Sequence, residues 1–381
     1  GDLAKCDGED RAQTLVIAVV NNRAPEHAVE QDIAQNEQTL RALDGWDQDS
    51  LPVAWIDASS PGRELSVKDG VGMARKIGLD QGLRILAEQD RLTAPLVSLD
   101  GDSRVDARYL SVLHRFFEPP ASRWACVLPY AHPVEGSDAE RAAILSYELY
   151  LRYHALHLAW SGSPYAHHTI GSTMACTAEA YAAVSGMNRR LAGEDFYYLQ
   201  QLAKTGKLEG LTGTVVRPSA RPSQRAPFGT GQFVQRFLDG DLSECRLYHP
   251  DSYEVIRAWL QMATGDPARP AADILASARA QHTELGTFLE QQDFVRSWDR
   301  IAAQTSTREA LLGQFHRWFD GFRTLKLIHH LRETVHPEQE MFSALAVLLE
   351  RLGLEFSMNR GPSATPDLQQ QLCLLECLRT L

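Results

Sequence analysis

The first 128 residues alternate between short apolar runs and longer amphipathic segments, and this rhythm constrains the fold more than any other feature. Apolar runs typical of buried strands occupy 14–20, 53–57, 96–99 and 124–128. Segments with helical spacing lie between them, over 25–43, 72–89 and 107–117. Strands that alternate with helices pair in parallel, because each helix carries the chain back along the sheet. The sequence therefore predicts an α/β domain with a mainly parallel sheet and helices on both faces.

Two carboxylates directly follow the third apolar run. Asp100 and Asp102 flank Gly101 at the predicted carboxyl end of that strand. Ligands of open α/β sheets lie at this edge. Because glycine allows a tight turn, carboxylates two residues apart can converge on one hard divalent cation, which would neutralise a diphosphate. The other interpretation is an ordinary strand-to-loop turn, in which Asp and Gly are common.

Composition excludes some classes of protein. The 381 residues carry a formal net charge of −11, with 44% hydrophobic and 23% charged residues. These values fit a globular chain and argue against a general nucleic-acid binder, which presents a basic face. No apolar run approaches the ~20 residues needed to span a bilayer, and residues 1–5 carry no apolar signal core. The six cysteines form no CxxC pair, so we expect a reduced, cytoplasmic protein.

The middle of the chain combines helix starts with a polar loop. Thr177 is placed to cap a short helix through Val184, and Gly193-Glu194-Asp195-Phe196 opens a helix that runs to about Thr205. The loop 217–231 is rich in Arg, Pro and Gly, and it contains Arg221 and Arg225. Such a segment is either a surface linker or a lid that binds an anion.

Helical patterns dominate the rest of the chain. A Tyr- and His-rich helix is predicted over 139–158, where rings at this spacing serve packing. Strand patterns end at about residue 243, and helices are predicted over 253–262, 271–289, 294–304, 308–333, 339–352 and 366–378. The stripe from Leu311 to Leu325 is wide and apolar, as in the core of a bundle. The sequence thus predicts two domains, an α/β domain over 1–240 and an all-helical domain over 241–381.

Five short elements follow one another in the first domain: Asn21-Asn22, Ile56-Asp57-Ala58-Ser59-Ser60, Gly72-Met73-Ala74-Arg75-Lys76-Ile77-Gly78, Leu99-Asp100-Gly101-Asp102 and Gly193-Glu194-Asp195-Phe196-Tyr197-Tyr198-Leu199. In this order they resemble the elements of the family 2 glycosyltransferases, over roughly residues 14–235. The family's versions are an Asn turn after the first strand, Val-Asp-Asp-Gly-Ser, Gly-x-Ala-Arg-Asn-x-Gly, Asp-x-Asp and Gly-Glu-Asp-x-x-Leu. Lys76 stands at the Asn of the third. The resemblance implies a Rossmann-like GT-A fold and transfer of a sugar from a nucleotide donor.

The resemblance also implies a donor site for a UDP- or GDP-sugar. Asn21 lies at the end of the first strand of that site, and Asp57 matches the residue that touches the nucleobase. Arg75 keeps the register of the family's Arg in its helix motif. Arg221 and Arg225 are expected to close over the diphosphate and help to neutralise it.

Metal and catalytic roles follow from the same resemblance. Asp102, with Asp100, is expected to hold Mn²⁺ or Mg²⁺, and Asp100 could instead bond the ribose or act through water. Asp195 is expected to take the proton of the acceptor hydroxyl, with Glu194 orienting the acceptor or a neighbour. The resemblance implies a hexosyltransferase, which inverts the anomeric configuration if Asp195 is an in-line base; a retaining enzyme of the same fold is the alternative. The acceptor is not identified, and the helical domain could cover it, mediate self-association or rest on a membrane surface.

Two other functions remain open at this stage. A phosphohydrolase of the haloacid-dehalogenase type also ends a strand in Asp-x-Asp, with Asp100 as its nucleophile. Against it, the pair follows two complete β-α units instead of the first strand, and no later Asp-Asp pair stands at a convincing strand end. A scaffold that binds nucleotide without turnover is the second alternative.

Overall fold

The computed structural model describes residues 2–22, 28–49, 51–66, 68–118, 123–190, 193–223, 229–266, 269–355 and 365–381. The protein is mixed α/β with about 57% helix. It divides into two compact units, Gly1–Glu135 with Thr169–Gln235, and Gly136–His168 with Arg236–Leu381. The sequence instead predicts a division at residue 240, with 136–168 in the first domain. That segment carries a long helix, which packs chiefly against helices of the second unit.

The first unit contains most of the strands. They are β1 (Val16–Asn21), β2 (Val53–Ala58), β3 (Pro95–Ser98), β4 (Arg104–Val105), β5 (Ala125–Val127), β6 (Met174–Thr177), β7 (Leu208–Gly210) and β8 (Val216–Arg217). Its helices are α1 (Gly8–Ala12), α2 (Glu30–Asp44), α3 (Val71–Glu88), α4 (Tyr109–Phe117), α6 (Ala178–Ala183) and α7 (Glu194–Thr205). Helix α8 (Thr230–Leu238) begins in this unit. Helix α5 (Asp138–Trp160) belongs to the second unit.

The strands of the first unit pair in both directions. β1 and β2 are parallel, from Val16 opposite Val53 to Asn21 opposite Ala58. A four-stranded sheet has the order β3-β6-β5-β7, in which β5 and β7 are parallel and β6 is antiparallel to both of its neighbours. The predicted mainly parallel sheet is therefore found only in part. The sequence pattern missed β4, β6, β7 and β8, because such short runs cannot be identified as strands by their periodicity alone.

Helices cover both faces of the four-stranded sheet. Successive side chains of a strand point to opposite faces. On one face, Leu96 and Val127 pack with Leu79 of α3 and with Leu199 of α7, in a cluster that also includes α6 residues. On the other face, side chains that include Cys126 pack against α4. The predicted helical coverage of both faces is thus present for this sheet.

Helix α3 approaches the strands closely because glycine lines its inner face. A Cβ at Gly78 would lie 3.1 Å from Val19 of β1, and one at Gly82 would lie 2.7 Å from Leu96 of β3. The helix can therefore rest directly on both strands. This contact fixes the start of α3 relative to the carboxyl ends of β1 and β3.

The second unit is almost entirely helical. Its helices are α5 (Asp138–Trp160), α9 (Pro250–Gly265), α10 (Ala271–Gln281), α11 (Thr283–Gln291), α12 (Phe294–Gln304), α13 (Arg308–Trp318), α14 (Gly321–Thr334), α15 (Met341–Arg351) and α16 (Leu368–Arg379). Two short strands, β9 (Arg246–Leu247) and β10 (Gln339–Glu340), pair antiparallel within it. The sequence predicts no strand beyond residue 243, and this prediction was wrong, because β9 and β10 form a short antiparallel pair there. In the described part of the chain, no helix is long and apolar enough to cross a membrane.

Two helices that the sequence predicts as continuous are each divided in two. The predicted helix 308–333 breaks before Asp320, whose side chain caps α14 by accepting from the Arg323 N–H at 2.9 Å. The predicted helix 271–289 breaks at His282, whose ring nitrogen accepts from the Leu285 N–H. A continuous apolar spacing hides such breaks, because both helices present their apolar sides to one core.

Candidate functional site

The carboxyl ends of β1 and β2 meet at one edge, and polar groups tie them together. The amide of Asn36 donates to the backbone carbonyl of Asn21 at 2.9 Å and to Oδ1 of Asn22 at 2.6 Å. The Asn22 side chain in turn donates to the carbonyl of Ser59. Asn22 is buried, whereas Asn21 is partly exposed. The predicted Asn21 thus stands at a rigid strand end.

Asp57 is held as an anion at the same edge. Its Oδ1 accepts from the N–H of Ser59 at 3.0 Å and of Ser60 at 2.9 Å, and Arg63 lies 3.4 Å from Oδ2. Burial disfavours the charged carboxylate, but the hydrogen bonds from Ser60 and Ser59 outweigh it and lower the pKa of Asp57 to about 2. Asp57 therefore orders the turn after β2 and is ionised at neutral pH.

Arg75 joins two predicted motifs that lie far apart in the sequence. Its guanidinium pairs with Asp100 at 2.6 Å, and its other terminal nitrogen pairs with Glu194, 119 residues away along the chain. Only 11% of the Arg75 side chain is exposed. Burial disfavours the charged guanidinium, but Asp100 and Glu194 more than offset this and raise its pKa. Arg75 is thus a fixed positive charge between two carboxylates.

Two glycines make this arrangement possible. The guanidinium of Arg75 lies against Gly171, where a Cβ would overlap it. Near the start of α3, a Cβ at Gly72 would lie 2.8 Å from the carbonyl oxygen of Arg190 and 3.0 Å from Cβ of Glu194. The start of α3 therefore packs directly against the segment that leads into α7.

Glu194 and Asp195 open helix α7, as the sequence predicts. Gly193 precedes them in the left-handed region, with φ of 70°. Glu194 is 2% exposed, and its backbone carbonyl accepts from the side chain of Asn188 at 2.8 Å. Asp195 is partly exposed and accepts from the N–H of Phe196.

Burial sets the proton affinity of this acid pair. It raises the pKa of Glu194 and of Asp195, and the positive charge of Arg75 opposes it in both cases. Asp100 acts with burial, because its negative charge also raises both pKa values. Among the described residues, Glu194 has Arg75 as an ion-pair partner, whereas Asp195 has none. In the described part of the chain, Asp195 is therefore the member of the acid pair that no ion-pair partner engages.

Asp100 and Asp102 lie where β3 ends, and both are accessible. Each side chain is 42% exposed. Asp100 pairs with Arg75, and Asp102 pairs with Arg221 at 2.9 Å across the surface. Exposed ion pairs of this kind contribute little to stability, so Asp102 can exchange its partner at small cost.

Asp100 and Asp102 could supply part, but not all, of the ligand shell of a hard divalent cation at this strand end. In the described residues, no group of three or more His, Cys, Asp or Glu side chains is arranged to hold a metal ion. Mg²⁺ in phosphate-handling sites is bound through one or two carboxylates, with phosphate and water completing the shell. Asp100 and Asp102 supply that number of carboxylates. The remaining ligands would have to come from a bound phosphate group and water.

The structure brings some of the predicted site residues together around Arg75, in a cluster of Arg75, Asp100 and Glu194 that we call the Arg75 group. Other predicted site residues lie apart from it. Arg75 contacts Asp100 and Glu194, with Asp195 adjacent in sequence, and Arg221 contacts Asp102. Asn21 and Asp57 lie together at the β1–β2 edge. Arg225 lies outside the described residues.

Sequence reasoning missed Gly171 and Asn188. Gly171 accommodates the Arg75 guanidinium, and Asn188 supports the backbone of Glu194. Neither carries a local pattern, because each acts by its place in the tertiary structure. Gly72 belongs to one of the predicted motifs. Its close approach to Glu194 explains why a glycine, which has no Cβ, stands at this position.

Comparisons with known proteins give no further assignment. No protein-family model, curated protein or solved structure matches the chain.

Proposed function

We propose that this protein is a metal-dependent glycosyltransferase with a GT-A fold, which moves a sugar from a nucleoside-diphosphate donor to an acceptor hydroxyl with inversion. The observation that carries the proposal is the guanidinium of Arg75, which pairs with Asp100 and with Glu194. Three motifs that resemble family 2 glycosyltransferases, spread over residues 72–199, meet at this one side chain. A chance occurrence of the motifs gives no reason for their meeting in space.

The donor would lie along the carboxyl ends of β1, β2 and β3. Asp57, an anion at the end of β2, has the character expected of a residue that accepts from a nucleobase N–H. Asp100 and Asp102 at the end of β3 would face the diphosphate, with a divalent cation, Mn²⁺ or Mg²⁺, supplying positive charge as the leaving group departs. Arg221 would add a second positive charge once it leaves Asp102 for the diphosphate.

Asp195 is the proposed base. It lies next to the Arg75 group, has a raised pKa because of burial, and has no ion-pair partner in the described part of the chain. A carboxylate with raised proton affinity takes up the acceptor's proton more readily as the hydroxyl attacks. Glu194, held by Arg75, would orient its neighbour.

The cytoplasmic setting belongs to the same proposal, and it is supported by the free thiols of Cys6, Cys126, Cys176, Cys373 and Cys377.

The test is a thermal shift of the whole protein against UDP, GDP, CDP and dTDP, each with and without Mn²⁺. A ligand that binds the native state raises the melting temperature by mass action. We expect a metal-dependent shift with one nucleotide, lost in Asp102→Ala and kept in Asp44→Ala, an exposed aspartate on α2. No shift with any nucleotide, or an equal shift in Asp102→Ala, would contradict the proposal.

A second arm tests the base. Asp195→Asn should keep the nucleotide shift and lower sugar transfer by roughly 10²–10⁴-fold, the usual contribution of a general base. Undiminished transfer in this variant would remove Asp195 from the mechanism. Phosphatase activity that disappears in Asp100→Asn would instead indicate a phosphohydrolase. Nucleotide binding without any transfer would indicate a scaffold.

A further inference from the structure

The contacts of the Arg75 guanidinium leave little room for a ligand. Both terminal nitrogens are engaged, one by Asp100 and the other by Glu194. Its Nε is buried without a hydrogen-bond partner among the described residues. Gly171 closes one side of the guanidinium, and only 11% of the side chain is exposed. A residue enclosed in this way serves other protein groups more directly than it serves a nucleotide.

The two carboxylates that Arg75 holds belong to different ends of the proposed site. Asp100 follows the end of β3, on the side of the proposed donor, and Glu194 begins α7, next to the proposed base Asp195. Glu194 is almost fully buried, so its charge has no access to water. An isolated buried carboxylate is costly, whereas one paired with a guanidinium is tolerated. The position of Glu194 thus depends on Arg75.

We propose that Arg75 is a positioning residue, which fixes Glu194 and through it Asp195 relative to Asp100, and that it does not contact the nucleotide. The positional part of this inference stands on the ion pairs alone, and its catalytic part rests on the proposed function. The proposal replaces the role that the sequence resemblance implies for Arg75, a donor-binding residue. Gly171 contributes to the same positioning, because any side chain there would displace the guanidinium of Arg75.

The positional part is tested without substrate, by urea denaturation of Arg75→Met, Glu194→Gln and the double variant. Arg75→Met leaves the Glu194 charge buried and unpaired, so its denaturation midpoint should fall. Adding Glu194→Gln removes that charge, and the double variant should recover at least half of the fall. Equal falls in Arg75→Met and in the double variant would overturn the proposal.

Gly171→Ala gives a second route if Arg75→Met does not fold. It keeps every charge and moves only the guanidinium, and Gly171 has no positive φ that would strain alanine. Its destabilisation should shrink when Glu194→Gln is added. Gly210→Ala is the matched control, because an added Cβ there meets nothing within 4 Å. A Gly171→Ala variant as stable as Gly210→Ala would count against the proposal.

The catalytic part is tested by combining variants in the transfer assay. Gly171→Ala and Glu194→Gln should each lower turnover at least tenfold, with nucleotide affinity changed by no more than about threefold. If both act by misplacing Asp195, the double variant should be no more than about twofold slower than the slower single variant. Multiplied effects would show that Gly171 and Glu194 act independently, and a loss of nucleotide affinity equal to the loss of turnover would indicate that Arg75 contacts the nucleotide. Either result would overturn the catalytic part of the proposal.

The two proposals fail in distinguishable ways. If wild-type protein and Gly210→Ala bind no nucleotide, the proposed function fails, and the denaturation experiment still decides whether Arg75 positions Glu194. If nucleotide binds but the stability effects of Arg75→Met and Glu194→Gln simply add, the positioning role fails and the proposed function stands.

Discussion

At the residue scale, the carboxylates of the site are governed by two opposite balances. Asp57 receives backbone hydrogen bonds that stabilise its charge, so its pKa falls to about 2 in spite of burial. Glu194 and Asp195 lie where burial outweighs the help of Arg75, so their pKa values rise. The same residue types therefore serve different purposes. Asp57 is a fixed anion that orders a turn, and Asp195 is a group that can accept a proton.

Replacement of Asp57 should make the stability less sensitive to acid. A pKa of about 2 in the folded state, against 3.8 in an exposed carboxyl, means that ionised Asp57 stabilises the fold above about pH 4 and that this stabilisation is lost as the pH falls toward 2. Its size is about 2 kcal/mol. Asp57→Asn should be less stable than wild type by that order at neutral pH, and the difference should shrink in acid.

Urea denaturation at neutral and acidic pH measures this difference. Asp44→Asn, at an exposed position on α2, is the control and should track wild type at both pH values. A difference between Asp57→Asn and wild type that stays constant with pH would show that the charge of Asp57 is not what stabilises the turn.

At the element scale, the position of α3 decides whether the site exists. This helix carries Arg75, and its glycines allow it to contact β1, β3 and the segment before α7. Glycine in a helix costs about 1 kcal/mol relative to alanine, so its use here trades helix propensity for close packing. Thr177 shows the ordinary case, since its hydroxyl caps α6 by accepting from the N–H of Ala180, as the sequence predicts.

Alanine at two helical glycines should have opposite effects. At Gly72 the added Cβ meets backbone oxygens of Arg190 and Asn188 at 2.8 and 3.0 Å, which cannot move aside as a side chain can. Gly72→Ala should therefore destabilise the protein by roughly 1–3 kcal/mol. Gly313 in α13 has open space around it, so Gly313→Ala should stabilise by about 0.5–1 kcal/mol. Thermal denaturation of both variants measures this; a stabilised Gly72→Ala would contradict the packing argument.

At the scale of the whole molecule, the chain leaves the first unit and returns to it. Leu128, shortly before the chain leaves, donates to the carbonyl of Thr173, shortly after the chain returns, at 2.9 Å. The segment between them contributes α5, which packs with α9, α15 and α16 in the second unit. The fully buried Glu148 of α5 pairs there with Arg152 and with Arg379 of α16. An excursion of this kind links two units without a single boundary in the sequence.

A truncation at the predicted domain boundary should therefore fail. A chain of residues 1–240 keeps α5 but loses α9, α15 and α16, which exposes its apolar face and leaves Glu148 without Arg379. We expect this chain to aggregate or to bind a hydrophobic dye. A chain that joins 1–135 to 169–235 through a flexible Gly/Ser linker should stay soluble and keep a cooperative melting transition. Equal behaviour of the two chains, by size-exclusion chromatography and thermal melting, would contradict the observed division.

The sequence by itself determined the local features of this protein. Strands β1, β2, β3 and β5, most helices and the start of α7 at Glu194 follow from short-range patterns of apolar spacing and capping, which a few adjacent residues encode. The antiparallel insertion of β6, the breaks before α11 and α14, and the grouping of α5 with the C-terminal helices came only from the tertiary structure. Each depends on contacts between segments that are distant along the chain, and local propensity does not indicate which distant segments will pack together.

The candidate site divides in the same way. The sequence identified Asp57, Arg75, Asp100 and Asp195 as residues of interest from their motifs. Only the fold decided that Arg75 faces two carboxylates at once, that Gly171 makes room for it, and that Glu194 is buried while Asp100 remains accessible. Charge and burial act through space. The pairing of Arg75 with Glu194, 119 residues away along the chain, therefore cannot be predicted from the sequence around either residue.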